Sequence, residues 1–361
     1  METLNVDLGK RSYPIFIGEN ILNNIGDELR KITNYDRILI VTNDDIKQLY
    51  GEQVANSIAN ANFTVETFTI DEGEKYKTLS TANTVYDFLI KYNYTRQTVL
   101  VALGGGVVGD LAGFVAATYM RGIPFVQIPT TLLSMVDSSV GGKVAVNHDL
   151  GKNIIGAFYQ PKFVLTDIDC LKTLAMVELR AGFAEVIKYG IIWDSTFFEF
   201  LDKNIEKIFK LDPSIMEIII QRSCQIKAKV VEEDEHENAI RAILNYGHTI
   251  GHAIESLTNY KQYKHGEAVA IGMVVAAEIS KIIGIIDEES VNKIKGLIKK
   301  ASLPSVIPAS IDTIDIVQRL NKDKKVKDGK VRFVLPTAIG KVSIRDDIKK
   351  DVISQAINSC R

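Results

Sequence analysis

The chain of 361 residues has few of the residues that mark specialised protein classes. It contains three cysteines, Cys170, Cys224 and Cys360, which are far apart and odd in number, so no disulfide framework is expected. Its 43 basic and 45 acidic residues give a net charge of −2. This balance excludes a dedicated binder of nucleic acid or of anionic membranes unless the basic residues segregate locally. Anionic metabolites are not excluded, because they need only a few converging cations.

Long hydrophobic runs are also absent. The longest, Ala268–Ala277, has about ten residues, fewer than the roughly 18 to 20 that a membrane span needs. Met1–Tyr13 carries acidic residues and lacks the apolar segment of a signal peptide. The sequence therefore predicts a cytoplasmic protein with reduced thiols and with neither a membrane nor a nucleic-acid partner.

Short β-branched segments alternate with helix-like segments over the first 170 residues. This alternation predicts an α/β N-terminal domain whose mostly parallel sheet is covered by helices on both faces. One helix is expected at Ser80–Lys91, with Ser80 as its N-cap. The predicted strands are Arg37–Thr42, Phe63–Ile70, Thr98–Leu103, Phe125–Pro129 and Phe163–Asp167.

The pattern becomes mainly helical after about residue 173. Asp328-Gly329 is a two-residue turn signal that predicts a hairpin between Lys325–Lys327 and Lys330–Leu335. We expect an α/β domain over residues 1–172 and a mainly α-helical domain over residues 173–361, with a ligand in a cleft between them. The predicted helices are Val177–Trp193, Ser195–Lys210, Pro213–Glu233, Ala239–Leu257, Glu267–Ile283 and Glu288–Ala301.

A glycine-rich segment lies between the predicted strand Thr98–Leu103 and a predicted helix over Leu111–Tyr119. Gly104, Gly106 and Gly109 fit the pattern G-x-G-x-x-G, in which missing Cβ atoms let backbone N–H groups approach a pyrophosphate. The motif follows about the third predicted strand rather than the first, and no acidic residue lies about 20 positions further on. A plain strand-to-helix turn therefore remains an alternative.

Two further segments place polar groups in predicted loops. Asp71–Lys77 follows a strand end beside the glycine segment, so it is either a solvated turn or a ribose contact. The long segment from Pro129 to Asn153 is not a Walker A loop, because Val144 stands where Ser or Thr is required. Its polar residues that together could bind hydroxyls and an anion are Asp137, Lys143, Lys152 and Asn153.

The predicted helix Ala239–Leu257 carries an unusual polar stripe. Arg241, Asn245, His248 and His252 lie within about 60° of one another on an otherwise apolar helix. Two histidines four residues apart can bind one metal, but Thr249 replaces the glutamate of H-E-x-x-H, which disfavours a zinc peptidase. Satisfied structural histidines are the alternative for each residue taken alone.

Two more groups could complete a metal site. Glu185 and Lys188 interrupt an almost wholly apolar helix, where they form either an ion pair or a site for a metal or anion. His265 precedes a second apolar helix and is expected in a loop. Glu185, His248 and His265 would leave an open fourth position, as in catalytic zinc sites. Lys322–Lys330 is interpreted as a solvated charge run, from which one lysine could reach a phosphate.

Taken together, six segments resemble the 3-dehydroquinate synthase family of sugar phosphate cyclases. Each motif alone is weak, but their joint occurrence in order, between about residues 71 and 335, is specific and covers nearly the whole chain. The segments are GGGVVGDLAGFVAATYMRG, IPTTLLSMVDSSVGGKVAVN, LRAGFAEVIKYG, RAILNYGHTIGHAIE, YKHGEAVAIGM and DKKVK.

The resemblance implies an NAD-binding N-terminal domain, a helical metal domain and a homodimer in which Arg121 reaches the neighbouring subunit's site. It implies that Glu185, His248 and His265 bind one divalent metal, usually zinc, with cobalt as the alternative. The implied NAD contacts are Asn43, Asp71, Glu74, Lys77, Gly105, Gly106, Val107, Asp110, Thr130, Thr131, Lys143, Lys152 and Thr173. The implied substrate and catalytic residues are Asp137, Lys143, Asn153, Lys188, Lys227, Arg241, Asn245, His252, Lys324 (or Lys325) and Arg121.

The implied reaction converts 3-deoxy-D-arabino-heptulosonate 7-phosphate to 3-dehydroquinate and phosphate in the shikimate pathway of aromatic amino acid biosynthesis. It would proceed by transient NAD-dependent oxidation, phosphate elimination, reduction and an intramolecular aldol closure, and is a lyase reaction. Alternatives are another sugar phosphate cyclase, of the 2-deoxy-scyllo-inosose or valiolone synthase type, and a metal-dependent polyol dehydrogenase. A protein of this fold that only binds ligands is a further alternative.

Overall fold

The structure is a computed structural model that describes residues 1–237, 239–320 and 331–361. The chain divides into two compact units. The first unit contains Met1–Leu174 and Met216–Glu232, and the second contains Ala175–Ile215 and Glu233–Arg361. One helical segment from the C-terminal half therefore packs with the first unit, whereas the predicted domains meet at a single boundary between residues 172 and 173.

The helices and strands of the described residues are as follows. The strands are β1 (Glu2–Val6), β2 (Tyr13–Gly18), β3 (Arg37–Asn43), β4 (Thr64–Ile70), β5 (Val99–Gly104), β6 (Phe125–Pro129), β7 (Lys143–His148), β8 (Gly151–Phe158), β9 (Val164–Asp167), β10 (Phe333–Ala338) and β11 (Lys341–Arg345). The helices are α1 (Ile25–Ile32), α2 (Asp44–Ile46), α3 (Glu52–Asn60), α4 (Leu79–Lys91), α5 (Gly106–Thr118), α6 (Met176–Ile192), α7 (Ser195–Phe209), α8 (Pro213–Glu233), α9 (His248–Leu257), α10 (His265–Ile282), α11 (Glu288–Lys300), α12 (Thr313–Leu320) and α13 (Lys350–Ser359).

The first unit is built on a seven-stranded sheet with the order β1-β2-β9-β6-β5-β3-β4. Every neighbouring pair in the sheet order β2-β9-β6-β5-β3-β4 is parallel, and only the edge pair β1–β2 is antiparallel. The buried helix α5 packs on β5 and is covered on its other side by β7, where Val144 and Val146 join the core. This architecture confirms the predicted α/β class of the N-terminal part.

The predicted strands of the first unit are confirmed to within one residue, whereas three local predictions are wrong. Thr78, not Ser80, caps α4, because the Thr78 hydroxyl accepts the N–H of Thr81 at 3.2 Å. The segment expected as a long loop instead contains the antiparallel hairpin β7–β8. The glycine motif follows the fifth strand, because the sequence analysis missed β1 and β2 at the N-terminus.

The second unit is mainly helical, as predicted, and is organised around α10. This helix is buried from Ala268 to Ser280 and packs against α6, α9, α11, α13 and β10. Hairpin β10–β11 turns at Gly340 and pairs Phe333–Leu335 with β11, which is not the partner that the sequence predicted. That predicted partner, Lys325–Lys327, and its Asp328-Gly329 turn lie outside the described residues. Over the described part of the chain, no helix has the length and apolar character needed to cross a membrane.

The single helix predicted over Ala239–Leu257 is wrong. Ile240–Asn245 forms a 3₁₀ helix, and α9 begins only at His248. Gly247 has φ of +79°, a left-handed conformation that interrupts the helix between the two segments. The four polar residues of the predicted stripe therefore do not share one helical face.

Candidate active site

Parallel strands bring several predicted cofactor residues to one edge of the first-unit sheet. The last residues of β5 and β6, Gly104 and Pro129, are register partners, so Gly105 and Thr130 follow them side by side. Thr130 N–H donates to the Gly104 carbonyl at 3.1 Å. The ends of β3 and β4 bring Asn43 and Asp71 together in the same way. Ligands of parallel α/β sheets bind at this carboxyl edge.

The N-terminus of α5 offers backbone donors with little side-chain cover. Gly105 occupies the N-cap position and has no side chain that could accept a hydrogen bond from the first N–H groups of α5. The first hydrogen bond of the helix runs from Gly109 N–H to the Gly105 carbonyl at 3.0 Å, so the preceding N–H groups lack intrahelical partners. A Cβ on Gly106 would lie 3.1 Å from Ser138 Oγ, so the glycine keeps this approach open. Such a terminus suits an anionic phosphate.

Lys77 connects the Asp71–Lys77 segment to α5. Its Nζ lies 2.9 Å from Asp110 Oδ2 and 3.4 Å from Glu74 Oε1, although Lys77 is only 3% exposed. Burial lowers the pKa of Lys77, but the two carboxylates outweigh it and raise the pKa overall. Burial raises the pKa of Asp110, and Lys77 opposes that shift. We call Glu74, Lys77, Gly105, Gly106, Asp110, Thr130 and Thr131 the first-unit cluster.

Asp137 and Lys227 form a second ionic contact in the first unit. Lys227 Nζ donates to both the carboxylate and the main-chain carbonyl of Asp137, at 2.5 Å each. Lys227 is on the part of α8 that belongs to this unit, and its charge also lowers the pKa of Asp110. The pair therefore lies close to the first-unit cluster.

In the second unit, Glu185, His248 and His265 converge. One ligand atom from each lies within 4.8 Å of the others, and Glu185 Oε1 is 3.6 Å from Nε2 of both histidines. We call these three residues the Glu-His-His group. Lys188 Nζ bonds to Glu185 Oε2, so the ion pair considered from the sequence is present beside the histidines.

Close helix packing positions the Glu-His-His group. Gly266 contacts α6 so closely that a Cβ would lie 1.9 Å from the Ala181 carbonyl oxygen, one helical turn from Glu185. His265 is the first residue of α10, not a loop residue as expected, and this contact brings it to α6. A Cβ on Gly272 would lie 1.9 Å from the Gly247 carbonyl oxygen, next to His248. Only glycine at these contacts lets the three helices approach so closely.

Each histidine of the group directs its second nitrogen to an acceptor. His248 Nδ1 is 3.0 Å from the Tyr246 carbonyl, and His265 Nδ1 is 3.4 Å from Glu255 Oε2. Burial lowers the pKa of His265, but hydrogen bonds to Glu185 and Glu255 outweigh it and raise the pKa to about 10.

The other predicted residues of the second unit lie near this group to different degrees. The His252 ring centre is 5.4 Å from that of His248 and 6.0 Å from that of His265. Arg241 is 1% exposed and its guanidinium donates to the Glu235 carbonyl. Asn245 Nδ2 donates to Glu237 Oε1 at 2.9 Å. The 3₁₀ segment that carries Arg241 and Asn245 packs against α6.

The remaining predicted residues make other contacts or are at least partly exposed. Asn43 caps α2 by accepting the Ile46 N–H, and Thr173 bonds to the Tyr50 hydroxyl. Arg121 is exposed, with φ of +66°, at the turn after α5. Lys324 and Lys325 lie outside the described residues. Other exposed or half-buried predicted positions of the first unit are Asp71, Val107, Lys143, Lys152 and Asn153.

Sequence reasoning missed three residues that contact predicted ones. Asn147 Nδ2 donates to Glu74 Oε1 at 2.8 Å, and Ser138 lies beside Gly106. Glu255 contacts His265, and together with His252 it forms a second group that could hold a metal ion. A signal for Glu255 was available, because it follows His248 by seven residues and therefore lies about 20° from it on a helix.

Both predicted ligands fit the chemistry of these residues. A carboxylate and two imidazoles are a donor set for Zn²⁺ or Co²⁺. In the first unit, Thr130 Oγ1 is buried without a hydrogen-bond partner among the described residues, at the edge where a dinucleotide would bind. An exogenous polar ligand would satisfy that oxygen.

Comparisons with known proteins agree with these observations. Residues 67–181 match the family described as 3-dehydroquinate synthase N-terminal, and residues 182–326 match 3-dehydroquinate synthase C-terminal. The 3-dehydroquinate synthase of Pelotomaculum thermopropionicum is 50% identical over 99% of this chain and 97% of its own.

Two solved structures have the same fold at lower identity. A 2-deoxy-scyllo-inosose synthase, complexed with carbaglucose-6-phosphate, NAD⁺ and Co²⁺, is 28% identical with a TM-score of 0.90 over 100% of both chains. The 2-epi-5-epi-valiolone synthase of Streptomyces hygroscopicus, with NAD⁺ and Zn²⁺ bound, is 27% identical with a TM-score of 0.89 over 96% of both chains. The family matches and the full-length relative show that the chain belongs to the 3-dehydroquinate synthase family.

Proposed function

We propose that this protein converts 3-deoxy-D-arabino-heptulosonate 7-phosphate to 3-dehydroquinate and phosphate, as a lyase of the shikimate pathway that uses NAD and a divalent metal. The observation that carries the proposal is the convergence of Glu185, His248 and His265 in a chain that matches the family along nearly its whole length. Zn²⁺ is the first candidate metal and Co²⁺ the second.

The cofactors would be held by different units. Glu185, His248 and His265 would bind the metal ion, with His248 and His265 presenting Nε2. When bound, NAD supplies a reversible hydride acceptor and the metal supplies a Lewis acid that polarises substrate hydroxyls. The residues that would hold NAD are the first-unit cluster together with Asn43, Asp71, Val107, Lys143, Lys152 and Thr173.

Basic and amide side chains would bind the two anionic ends of the substrate. Lys227 and Arg241 would bind the carboxylate, and Asp137 would fix the Lys227 ammonium through the contact at 2.5 Å. Lys188 bonds to Glu185 and would orient that carboxylate. The residues that would bind the phosphate are Lys143, Lys152, Asn153, Asn245, Arg121 and Lys324.

His252 is the proposed proton carrier. Histidine is the side chain whose ordinary pKa lies nearest neutral, which suits it to accept and return a proton. Its ring lies 5.4 Å from that of His248, so a substrate held at the metal would be within reach of His252. Elimination of phosphate requires loss of a proton from a neighbouring carbon, and His252 would accept or relay it.

The proposal includes a homodimer in the cytoplasm. Arg121 would contribute to the phosphate site of the neighbouring subunit, because its exposed position after α5 directs it away from the core of its own unit. Sedimentation analysis tests the dimer. Mixing Arg121→Ala with a His265→Ala variant tests the shared site, since a hybrid with one complete site regains activity.

The alternative is another sugar phosphate cyclase, a class to which the two structural relatives belong. The buried cations Lys227 and Arg241 favour a carboxylated substrate, because ammonium and guanidinium groups bind a carboxylate through charge-assisted hydrogen bonds. The full-length relative at 50% identity favours the same function.

A phosphate-release assay distinguishes these functions. Protein loaded with NAD and Zn²⁺ is incubated with the heptulosonate phosphate, with and without EDTA, while phosphate and NADH are measured. We expect stoichiometric phosphate release that EDTA abolishes and added Zn²⁺ restores, without accumulation of NADH. Absence of phosphate release, or NADH formed in proportion to substrate, would contradict the proposal and the latter would favour a polyol dehydrogenase.

A further inference from the structure

We propose that Glu255 is a positioning residue for the metal site: it orients the imidazole of His265 through Nδ1 and strengthens metal binding without being a ligand. This inference rests on the proposed metal site of the previous section. It concerns a residue outside the Glu-His-His group, one that lies on α9 and has a side chain only 6% exposed.

The two nitrogens of His265 face two different carboxylates. Nε2 lies 3.6 Å from Glu185 Oε1, whereas Nδ1 lies 3.4 Å from Glu255 Oε2. A neutral imidazole has one N–H donor and one acceptor nitrogen. If Nδ1 keeps its proton and donates it to Glu255, the lone pair of Nε2 points to the side of Glu185, where the metal would be bound.

His248 has the same arrangement with a different acceptor. Its Nδ1 lies 3.0 Å from the Tyr246 carbonyl, and its Nε2 lies 3.6 Å from Glu185 Oε1. In both histidines, Nδ1 therefore faces an acceptor outside the Glu-His-His group and Nε2 faces the Glu185 carboxylate. The two acceptors differ in charge, because Tyr246 contributes a neutral carbonyl and Glu255 a carboxylate.

This difference assigns a separate effect to Glu255. A carboxylate that accepts from the second nitrogen of a ligating histidine fixes the ring orientation and raises the basicity of the ligating nitrogen. His265 has more need of such support than His248, because its side chain is 33% exposed against 11% for His248. Loss of such partners weakens metal binding by about 10- to 100-fold.

A competing arrangement makes Glu255 itself a ligand. Ligand atoms of His252, Glu255 and His265 also lie within 4.8 Å of one another. In that case a metal would bind on the Nδ1 side of His265, or two ions would share its imidazole. The spectrum and the stoichiometry of Co²⁺ binding distinguish a ligand from a positioning residue.

The experiment measures Co²⁺ and Zn²⁺ dissociation constants by competition with a chromophoric chelator. The variants are Glu255→Gln, Glu255→Ala and, as a matched control, Glu278→Gln, which changes another buried carboxylate that is bonded to Lys281 and Lys295. We expect one ion per wild-type chain. Affinity should fall about 10-fold in Glu255→Gln, which keeps an acceptor, and about 100-fold in Glu255→Ala, with no change in Glu278→Gln. The d–d spectrum of bound Co²⁺ should keep its wild-type shape and intensity.

A double-mutant cycle separates support of His265 from general structural damage. In a His265→Ala background, Glu255→Gln should not weaken the residual Co²⁺ affinity further, because the ring that it supports is gone. Unchanged affinity in both Glu255 variants, equal weakening in Glu278→Gln, a changed d–d spectrum, two ions per chain or additive effects would each overturn the inference. A wild-type chain that binds no metal would instead refute the proposed metal site on which the inference depends.

Discussion

The first-unit cluster and the Glu-His-His group are assembled in different ways. In the first unit, consecutive strands of a parallel sheet end at one edge, and the residues that follow them meet there without further adjustment. In the second unit, Glu185, His248 and His265 come from three helices, and they meet because glycines let the helix backbones touch.

The two regions also hold buried charge differently. Lys77 bonds to the carboxylates of both Asp110 and Glu74, so the buried charges of the first-unit cluster are paired by its own side chains. Glu185 is fully buried, bonds to Lys188 and faces two imidazoles that are ligands in many metal sites. The first region is therefore assembled by strand order and ion pairing, whereas the second is assembled by helix packing.

Removal of a metal ligand should have the largest effect. His265→Ala is expected to lower metal content and phosphate-release activity together, the activity by about a thousandfold, since Lewis-acid assistance contributes several kcal/mol. Metal analysis and the phosphate assay measure the two quantities on one preparation. His148→Ala, which changes an exposed histidine of the first unit, should keep its metal. An active His265→Ala variant without metal would contradict the ligand assignment.

The dependence of the Glu-His-His group on helix packing can be tested at Gly266. Gly266→Ala places a Cβ 1.9 Å from the Ala181 carbonyl oxygen, so α6 and α10 must separate. We expect the free energy of unfolding in urea to fall by about 3 kcal/mol, and metal affinity to fall with it. Gly296→Ala is the matched control, because its added Cβ on α11 has no atom within 4 Å beyond the neighbouring backbone of its own helix.

The control has an expected effect of opposite sign. Alanine in place of a helical glycine reduces the entropy of the unfolded chain, so Gly296→Ala should stabilise the protein by about 0.4 to 1 kcal/mol. Equal stability of the Gly266 and Gly296 variants would show that close packing does not assemble the Glu-His-His group.

The ion pairing of the first-unit cluster can be removed at Lys77. Lys77→Met leaves Asp110 without its cation, and we expect a loss of about 2 kcal/mol in the free energy of unfolding. Weaker NAD binding, measured by calorimetry, should accompany it. Lys293→Met removes an exposed cation that pairs with Glu289, and it should change stability by less than about 0.5 kcal/mol. A stable Lys77→Met variant with normal NAD affinity would refute this account.

The contrast between the two regions also explains what the sequence could predict. The strands that end at the first-unit edge are short β-branched segments, and β3, β5 and β6 lie within one residue of their predicted bounds. The β7–β8 hairpin was missed because its strands contain Gly, Asn and Lys, which favour loops in isolation, whereas Val144 and Val146 pack into the core over α5.

The second region was predictable in its residues but not in its geometry. Helical spacing placed Arg241 with His248 on one face, and the left-handed Gly247 separates them. That conformation is favoured by the contact of Gly247 with Gly272 on α10, which is a tertiary feature that periodicity does not contain. Glu185, His248 and His265 were predicted together as one metal site, but the packing of Gly266 on Ala181 that brings His265 to Glu185 was not predicted.

The smallest expected effect concerns Glu278, a buried carboxylate of the second unit that lies outside the Glu-His-His group. Its Oε1 is 2.5 Å from Lys295 Nζ and its Oε2 is 2.9 Å from Lys281 Nζ. Burial raises the pKa of Glu278, but the two ammonium groups outweigh it and lower the pKa overall. A carboxylate with a lowered pKa in the folded state stabilises the protein above its ordinary pKa of 4.5, and that contribution is lost as the pH falls through the lowered value.

Glu278→Gln should therefore reduce the free energy of unfolding by about 1 kcal/mol at pH 7, because both lysines are partly exposed and the pairs are screened by water. Urea denaturation at pH 7, 5, 4 and 3 should show the difference from wild type narrowing below about pH 4.5. A difference that stays constant with pH would mean that the shape of the side chain, and not its charge, is what this position requires.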